Sequence, residues 1–282
     1  GIGGTVTVQG SVGLSGGMRV LADGYVIQGG TLDVGNGARP VTIDVAAAGG
    51  VAVGSAVTGA AGLRKTGPGR LVLDGPVSLA GPLEIVSGRL VRPADAVTTL
   101  AVGSLALDQA AGAALDLGAG RVQIGPGGTT ADELRAELIA GRNGGRWDGA
   151  AGIVSSAVSG TAGRGVGYLV RPDGSAVVAF AAAGDTNLDA TVDILDLVQI
   201  SAGGRYGSAL AATWSQGDFD YDGKTTLFDL VAITGSGAYG RRNYLASVGP
   251  SAAVVTVVPE PASLVILVMA AAGAGIRRRL RS

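Results

Sequence analysis

Two acidic runs lie toward the C-terminal end of the chain, one beginning at Asp185 and the other at Asp218. In the first, Asp185, Asn187, Asp189, Asp193 and Asp196 fall at positions 1, 3, 5, 9 and 12 of a twelve-residue loop. In the second, Asp218, Asp220, Asp222, Thr226 and Asp229 take the same positions. Oxygen donors at that spacing, with a backbone carbonyl at position 7, suit a hard divalent cation, Ca²⁺ above all. Thr191 and Lys224 stand at position 7 and would offer their carbonyls. Four carboxylates in one short loop repel until a cation neutralises them, so binding and folding are expected to be coupled. Loop 1 carries Ala190 where Gly would ease the turn at position 6. Loop 2 carries Thr226, a poorer ligand than an acid, at position 9, and its site is expected to be the weaker one.

The rest of the composition narrows the chemistry by absence. With no Cys and no His, the chain has no disulfide, thiolate or imidazole. That excludes Ser-His-Asp and Cys-His catalysis and His- or Cys-based metal sites. A net charge of −1 gives no electrostatic reason to bind nucleic acid. The other carboxylates (Asp33, Asp44, Asp74, Glu84, Asp108 and Asp116) are scattered one per predicted strand, and none forms the pair that glycoside chemistry needs. No catalytic residue is assigned.

Positioning falls to the upstream segment. From Thr5 to Ile124 apolar and polar residues alternate in short bursts, as in Thr5–Gln9, Thr31–Val34, Val41–Val45, Arg70–Asp74 and Leu83–Val86. Gly or Gly-Pro separates the bursts, and 51 glycines with few aromatics fit a turn-rich β architecture. The stretch Gly62-Leu-Arg-Lys-Thr-Gly67-Pro-Gly69-Arg-Leu-Val-Leu-Asp-Gly75, followed by Leu83–Val91, resembles the strand repeat of autotransporter passenger domains. That resemblance implies rungs of a right-handed parallel β-helix over 1–128. Residues 129–183 read as a junction of a Thr-capped helix, an Asn-Gly-Gly turn with Trp147, and a hairpin around Pro172-Asp173-Gly174. A similar junction occurs in bacterial surface proteins. Trp147 is either the plug of a small core or a sugar-stacking residue.

Each acidic loop runs into an apolar stretch, Ile194 to Ile200 and Leu227 to Ile233, and the unit repeats after 33 residues (185 to 218). Over 184–240 this resembles the type I dockerin domain, which also has Asp at position 12. Dockerins bind cohesin modules, often through a Ser-Thr pair at positions 10 and 11. Here those positions hold Ile194-Leu195 and Leu227-Phe228, which leaves a differently shaped partner or packing within the chain as alternatives.

After a linker at 241–256, Pro259-Glu260-Pro261 precedes an uncharged run, Ala262 to Ile276, and then Arg277-Arg278-Arg279-Leu-Arg281. The run is short for a membrane span of about 20 residues unless it is extended back toward Ala252. The arginines would stay cytoplasmic and place the upstream chain outside the membrane. The tripartite tail over 257–282 resembles the PEP-CTERM sorting signal, which implies a transmembrane helix, an exosortase as processing partner, and delivery to the cell surface or extracellular matrix. The start, Gly1-Ile-Gly-Gly, is expected of a chain whose signal peptide has been removed or of a piece of a longer protein. The expected function is that of a non-enzymatic surface or matrix protein with two Ca²⁺ loops. The alternative is an accessory component of polysaccharide degradation that docks to a cohesin.

Overall fold

The computed structural model describes residues 3–247 apart from 47–48, 95–97, 159–160 and 162. Strands of three to five residues, too short to be stable alone, stack here because every second side chain points into a shared interior. The first turns comprise β1 (Thr5–Thr7), β2 (Ser11–Gly13) and β3 (Met18–Val20), then β4 (Tyr25–Gln28), β5 (Thr31–Asp33) and β6 (Val41–Val45). The third turn is β7 (Val51–Val53), β8 (Ala56–Gly59) and β9 (Leu63–Thr66). The fourth is β10 (Arg70–Leu73), β11 (Val77–Leu79) and β12 (Pro82–Ile85), and the fifth is β13 (Arg89–Val91), β14 (Thr99–Val102) and β15 (Ser104–Leu107). Each strand pairs in parallel with its counterpart one turn later, which gives a parallel β-solenoid of about five turns with three sheets.

The register lines up columns of interior side chains. One sheet stacks Val51, Leu71, Leu90 and Leu115, and a second stacks Leu32, Val57, Val77, Leu100 and Val122. The third places Lys65 between Ile43 and Ile85. That cation is fully buried, and its ammonium donates to the carbonyls of Thr66, Gly67 and Ser87 at 3.1, 2.7 and 2.9 Å, so all three of its protons are used. The Lys-Thr-Gly turn thus ties successive coils together. Gly67 itself has φ +77°, and a β-carbon there would lie 2.4 Å from the Val45 carbonyl.

The parallel pattern ends in a closed edge. β16 (Ala114–Asp116) and β17 (Arg121–Ile124) extend two of the sheets, and β18 (Gly152–Val154) adds in parallel to β16, so the parallel sheet continues past residue 128. The hairpin of β19 (Arg164–Val170) and β20 (Ala176–Ala182) then pairs antiparallel with β17. Helix α1 (Ala131–Arg142) covers β18. It begins at Thr130, whose hydroxyl accepts the Glu133 amide while the Glu133 carboxylate accepts the Thr130 amide. Leu134, Leu138 and Gly141 are its buried face. At Gly141 a β-carbon would sit 1.7 Å from the Ile153 carbonyl, so only Gly allows the helix this close to the strand. At the opposite end every residue of β1 and β2 is exposed.

Helices α2 (Ile194–Gly203) and α3 (Leu227–Gly235) follow the two acidic loops. The described residues fall within one compact unit. The residues read as a sorting signal (Pro259, Glu260, Pro261, Arg277, Arg278 and Arg279) and the expected transmembrane helix lie outside the described residues. Among the described residues no helix is long and apolar enough to cross a membrane.

Candidate metal centre

Both acidic loops wind the same way. Positions 4 and 6 have positive φ in each: Leu188 (60°) and Ala190 (71°) in loop 1, Tyr221 (64°) and Gly223 (88°) in loop 2. Ala190 therefore adopts the left-handed turn despite its β-carbon. The position-1 carboxylates are buried and accept amides across the turn. Asp185 accepts from Asp189 and Ala190, and Asp218 accepts from Gly223 at 3.0 Å. Position 12 closes each loop. Asp196 accepts the amides of Thr186 and Asp193, and Asp229 those of Phe219, Asp220 and Thr226. Asp193 and Thr226, at position 9, cap α2 and α3 by accepting the amides of Leu195 and Phe228. One short motif thus serves as both loop closure and helix start.

The loops also complete each other. Val192 of loop 1 bridges Tyr239 beyond α3, and Thr225 of loop 2 bridges Tyr206 beyond α2. The amides of Gly240 and Gly207 donate to the carbonyls of Val192 and Thr225 at 2.9 and 3.0 Å.

Loop 2 has the geometry of a cation site. Oxygens of Asp218, Asp220 and Asp222 all lie within 4.8 Å of one another. Asp218 is 1% exposed, and its Oδ1 is buried with no hydrogen-bond partner. A buried carboxylate oxygen without a donor is costly unless a cation fills the gap. Desolvation pushes the Asp218 carboxyl up to about 6 and also raises Asp220. In loop 1, burial pushes Asp185 up to about 6, against the opposing pull of the Tyr244 hydroxyl, which donates to its Oδ2 at 2.6 Å. Asn187 and Asp189 stand beside it, with the Asp189 amide donating to Asn187 at 2.9 Å. The backbone at Thr191 and Lys224 lies at the turn between positions 5 and 9, each amide donating to the position-5 carboxylate at 2.8 Å.

An aromatic cluster holds both loops on the end of the solenoid. Tyr221 packs against Trp147, Tyr168 and Trp214, and its hydroxyl donates to the Val166 carbonyl at 2.6 Å. Trp214 donates its indole N–H to the Asp185 carbonyl at 2.7 Å. Gly165 and Gly167 of β19 make room for the indoles, since β-carbons there would come within 2.9 and 2.5 Å of Trp147 and Trp214. Trp147 and Trp214 are 3% and 2% exposed, so both are core plugs and neither ring is open to a sugar. Two arginines add to this. Arg121 of β17 donates to the Leu188 carbonyl at 2.8 Å and Arg135 of α1 to the Tyr221 carbonyl at 2.9 Å, the same position in each loop.

The apolar residues at positions 10 and 11 do not pack within the described chain: Ile194, Leu195, Leu227 and Phe228 are 60–78% exposed. The upstream carboxylates serve the fold. Asp116 holds the amides of Gly118 and Ser156, Asp33 that of Gly35, and Asp44 and Glu84 pair with Arg19 and Arg64. Sequence reasoning missed Arg121, Arg135 and Tyr244. A signal for the cluster was available, since five of the eleven aromatic residues (2 Trp, 6 Tyr, 3 Phe) meet in it. No protein family, curated protein or solved structure matches the chain.

Proposed function

We propose that the chain is a non-enzymatic structural protein of the cell surface or extracellular matrix, exported and processed by an exosortase at residues 257–282. Two Ca²⁺ ions fix the 184–240 module on the end of its solenoid, whose coils are right-handed as parallel crossovers almost always are. The observation that carries this reading is the buried, unpartnered Oδ1 of Asp218 beside Asp220 and Asp222. Loop 1 supports a second site through Asp185, Asn187, Asp189, Asp193 and Asp196 at matching positions. The structural role is supported by Asp33, Asp44, Glu84 and Asp116, each of which is occupied in holding a turn or a neighbouring coil.

Calorimetric titration with millimolar Ca²⁺ should show two sites and a rise in thermal stability, and a flat isotherm overturns the calcium assignment. Release of reducing sugar from a matrix polysaccharide, abolished by mutating one carboxylate pair, would overturn the non-enzymatic one. The exposed Ile194, Leu195, Leu227 and Phe228 favour a second reading, docking of a cohesin-like module on α2 and α3. A pulldown against a cohesin panel, with and without Ca²⁺, tests it.

A further inference from the structure

Loops 1 and 2 are each gripped at position 4 by an arginine from the solenoid end, but the two arginines are not equivalent. Arg121 reaches only the Leu188 carbonyl of loop 1. Arg135 donates to the Tyr221 carbonyl and also lies 3.7 Å from the Asp218 carboxylate. It approaches Asp218 at Oδ2, the oxygen already bonded to the Gly223 amide, and leaves Oδ1 free. A dication entering between Asp218, Asp220 and Asp222 would therefore meet Arg135 still in place. The guanidinium of Arg142, two turns along α1, makes no hydrogen bond or ion pair among the described residues, and its charge acts on Asp220 and Tyr221. α1 thus sets its apolar face against β18 and its basic face against loop 2.

We propose that Arg135 is the resident counter-cation of loop 2. It neutralises Asp218 when no metal is present and lowers the affinity of the site when one binds, and this ties occupancy of loop 2 to α1 and the solenoid end. The inference rests on the calcium reading of loop 2. A point charge several ångströms from a dication repels it even at the dielectric constant of water, by an amount equivalent to about a tenfold change in affinity. Arg121, which holds loop 1 without a carboxylate contact, is the matched control.

The test is calcium titration of the full chain carrying Asp189→Ala to silence loop 1, alone and combined with Arg135→Gln or Arg135→Lys. Gln keeps a donor for the Tyr221 carbonyl but removes the charge, whereas Lys keeps the charge. Arg135→Gln should tighten loop 2 by about tenfold and lower the melting temperature of the calcium-free protein. Arg135→Lys should leave the affinity within about twofold of the parent. In the silent-loop-2 counterpart, Asp222→Ala, Arg121→Gln should not tighten loop 1. Equal or weaker binding by Arg135→Gln overturns the proposal, as does a tenfold gain in Arg135→Lys. If the parent binds no calcium at loop 2, the calcium reading itself fails, an outcome separate from either of these. Where Arg135→Gln does not fold without calcium, hydrogen exchange of the parent decides. Calcium should slow exchange of the α1 and β18 amides, and unchanged exchange there overturns the coupling.

Discussion

Asp218→Asn isolates what it costs to keep a carboxylate buried in the calcium-free loop. Asp218 is 1% exposed, and desolvation lifts its pKa from 3.8 to about 6, with the Gly223 amide and Arg135 offsetting only part of that shift. A carboxyl whose folded-state pKa lies above its unfolded value holds its proton more tightly in the folded chain. Its favourable contribution is therefore present below about pH 4 and is lost as the pH rises through about 6. The gap of about two units corresponds to ~3 kcal/mol, which the ionised form withdraws from stability at pH 8. Asn carries no charge to desolvate, and its amide faces the oxygens of Asp220 and Asp222 within 4.8 Å. Without calcium, Asp218→Asn should match the parent at pH 4 and exceed it at pH 8, by at most about 3 kcal/mol. With millimolar Ca²⁺ the order should reverse, because the variant lacks the position-1 carboxylate. Urea unfolding at pH 4, 6 and 8, in calcium-free buffer and with calcium added, measures both halves. A variant less stable than the parent at pH 8 without calcium, or one that keeps the full calcium increment, refutes the reasoning.

Calcium binding should weaken as the pH falls through about 6, since Asp185 and Asp218 must both lose protons to bind; titration in two buffers of different ionisation enthalpy will show the proton release. Ala190→Gly removes a β-carbon at φ +71° and should stabilise the protein by about 0.5 kcal/mol, the strain relief outweighing the greater freedom of Gly in the unfolded chain. Its urea midpoint reports this, and a lower midpoint counts against a left-handed turn at that residue. Gly141→Ala drives a methyl into the Ile153 carbonyl and should cost about 3 kcal/mol or more through separation of α1 from β18, seen as a drop in melting temperature. Trp214→Phe leaves the buried Asp185 carbonyl without its indole donor, costing about 1–3 kcal/mol, and calorimetry should show loop 1 weakened more than loop 2.

Much of this molecule can be read from short-range patterns. The alternation around Val41–Val45 or Arg70–Leu73 shows which side chains face in, and the glycines at 62, 67 and 88 mark where the chain turns with positive φ. The carboxylates of the two loops are equally visible, because the spacing expected of a cation loop lies within twelve residues. Lys65 breaks the pattern. A charged residue at an inward position looks exposed until its three carbonyl partners are known, and one of them belongs to Ser87, 22 residues on. Arg135 and Arg121 escaped for the same reason, their acceptors lying 86 and 67 residues away with no periodicity to announce them. The apolar residues at positions 10 and 11 left packing within the chain open. Their exposure follows from the helices burying Asp196 with Ile200 and Asp229 with Ile233 instead, which turns Leu195 and Phe228 outward.

The cross-bridging of the two loops has a temporal side. All the ligands of loop 1 have been synthesised once the chain reaches Asp196, yet its Val192 finds its bridge only at Tyr239, and Asp185 its hydroxyl donor only at Tyr244. A chain lengthening from its N-terminus therefore carries an unfinished first loop until almost the whole described molecule exists. The earlier-made of the two proposed ion sites is the last to be completed. A product cut short anywhere between Asp218 and Tyr239 would hold every oxygen of loop 1 and still lack the frame that closes it, so tight binding at that loop would register that the chain had been made at least as far as Tyr244.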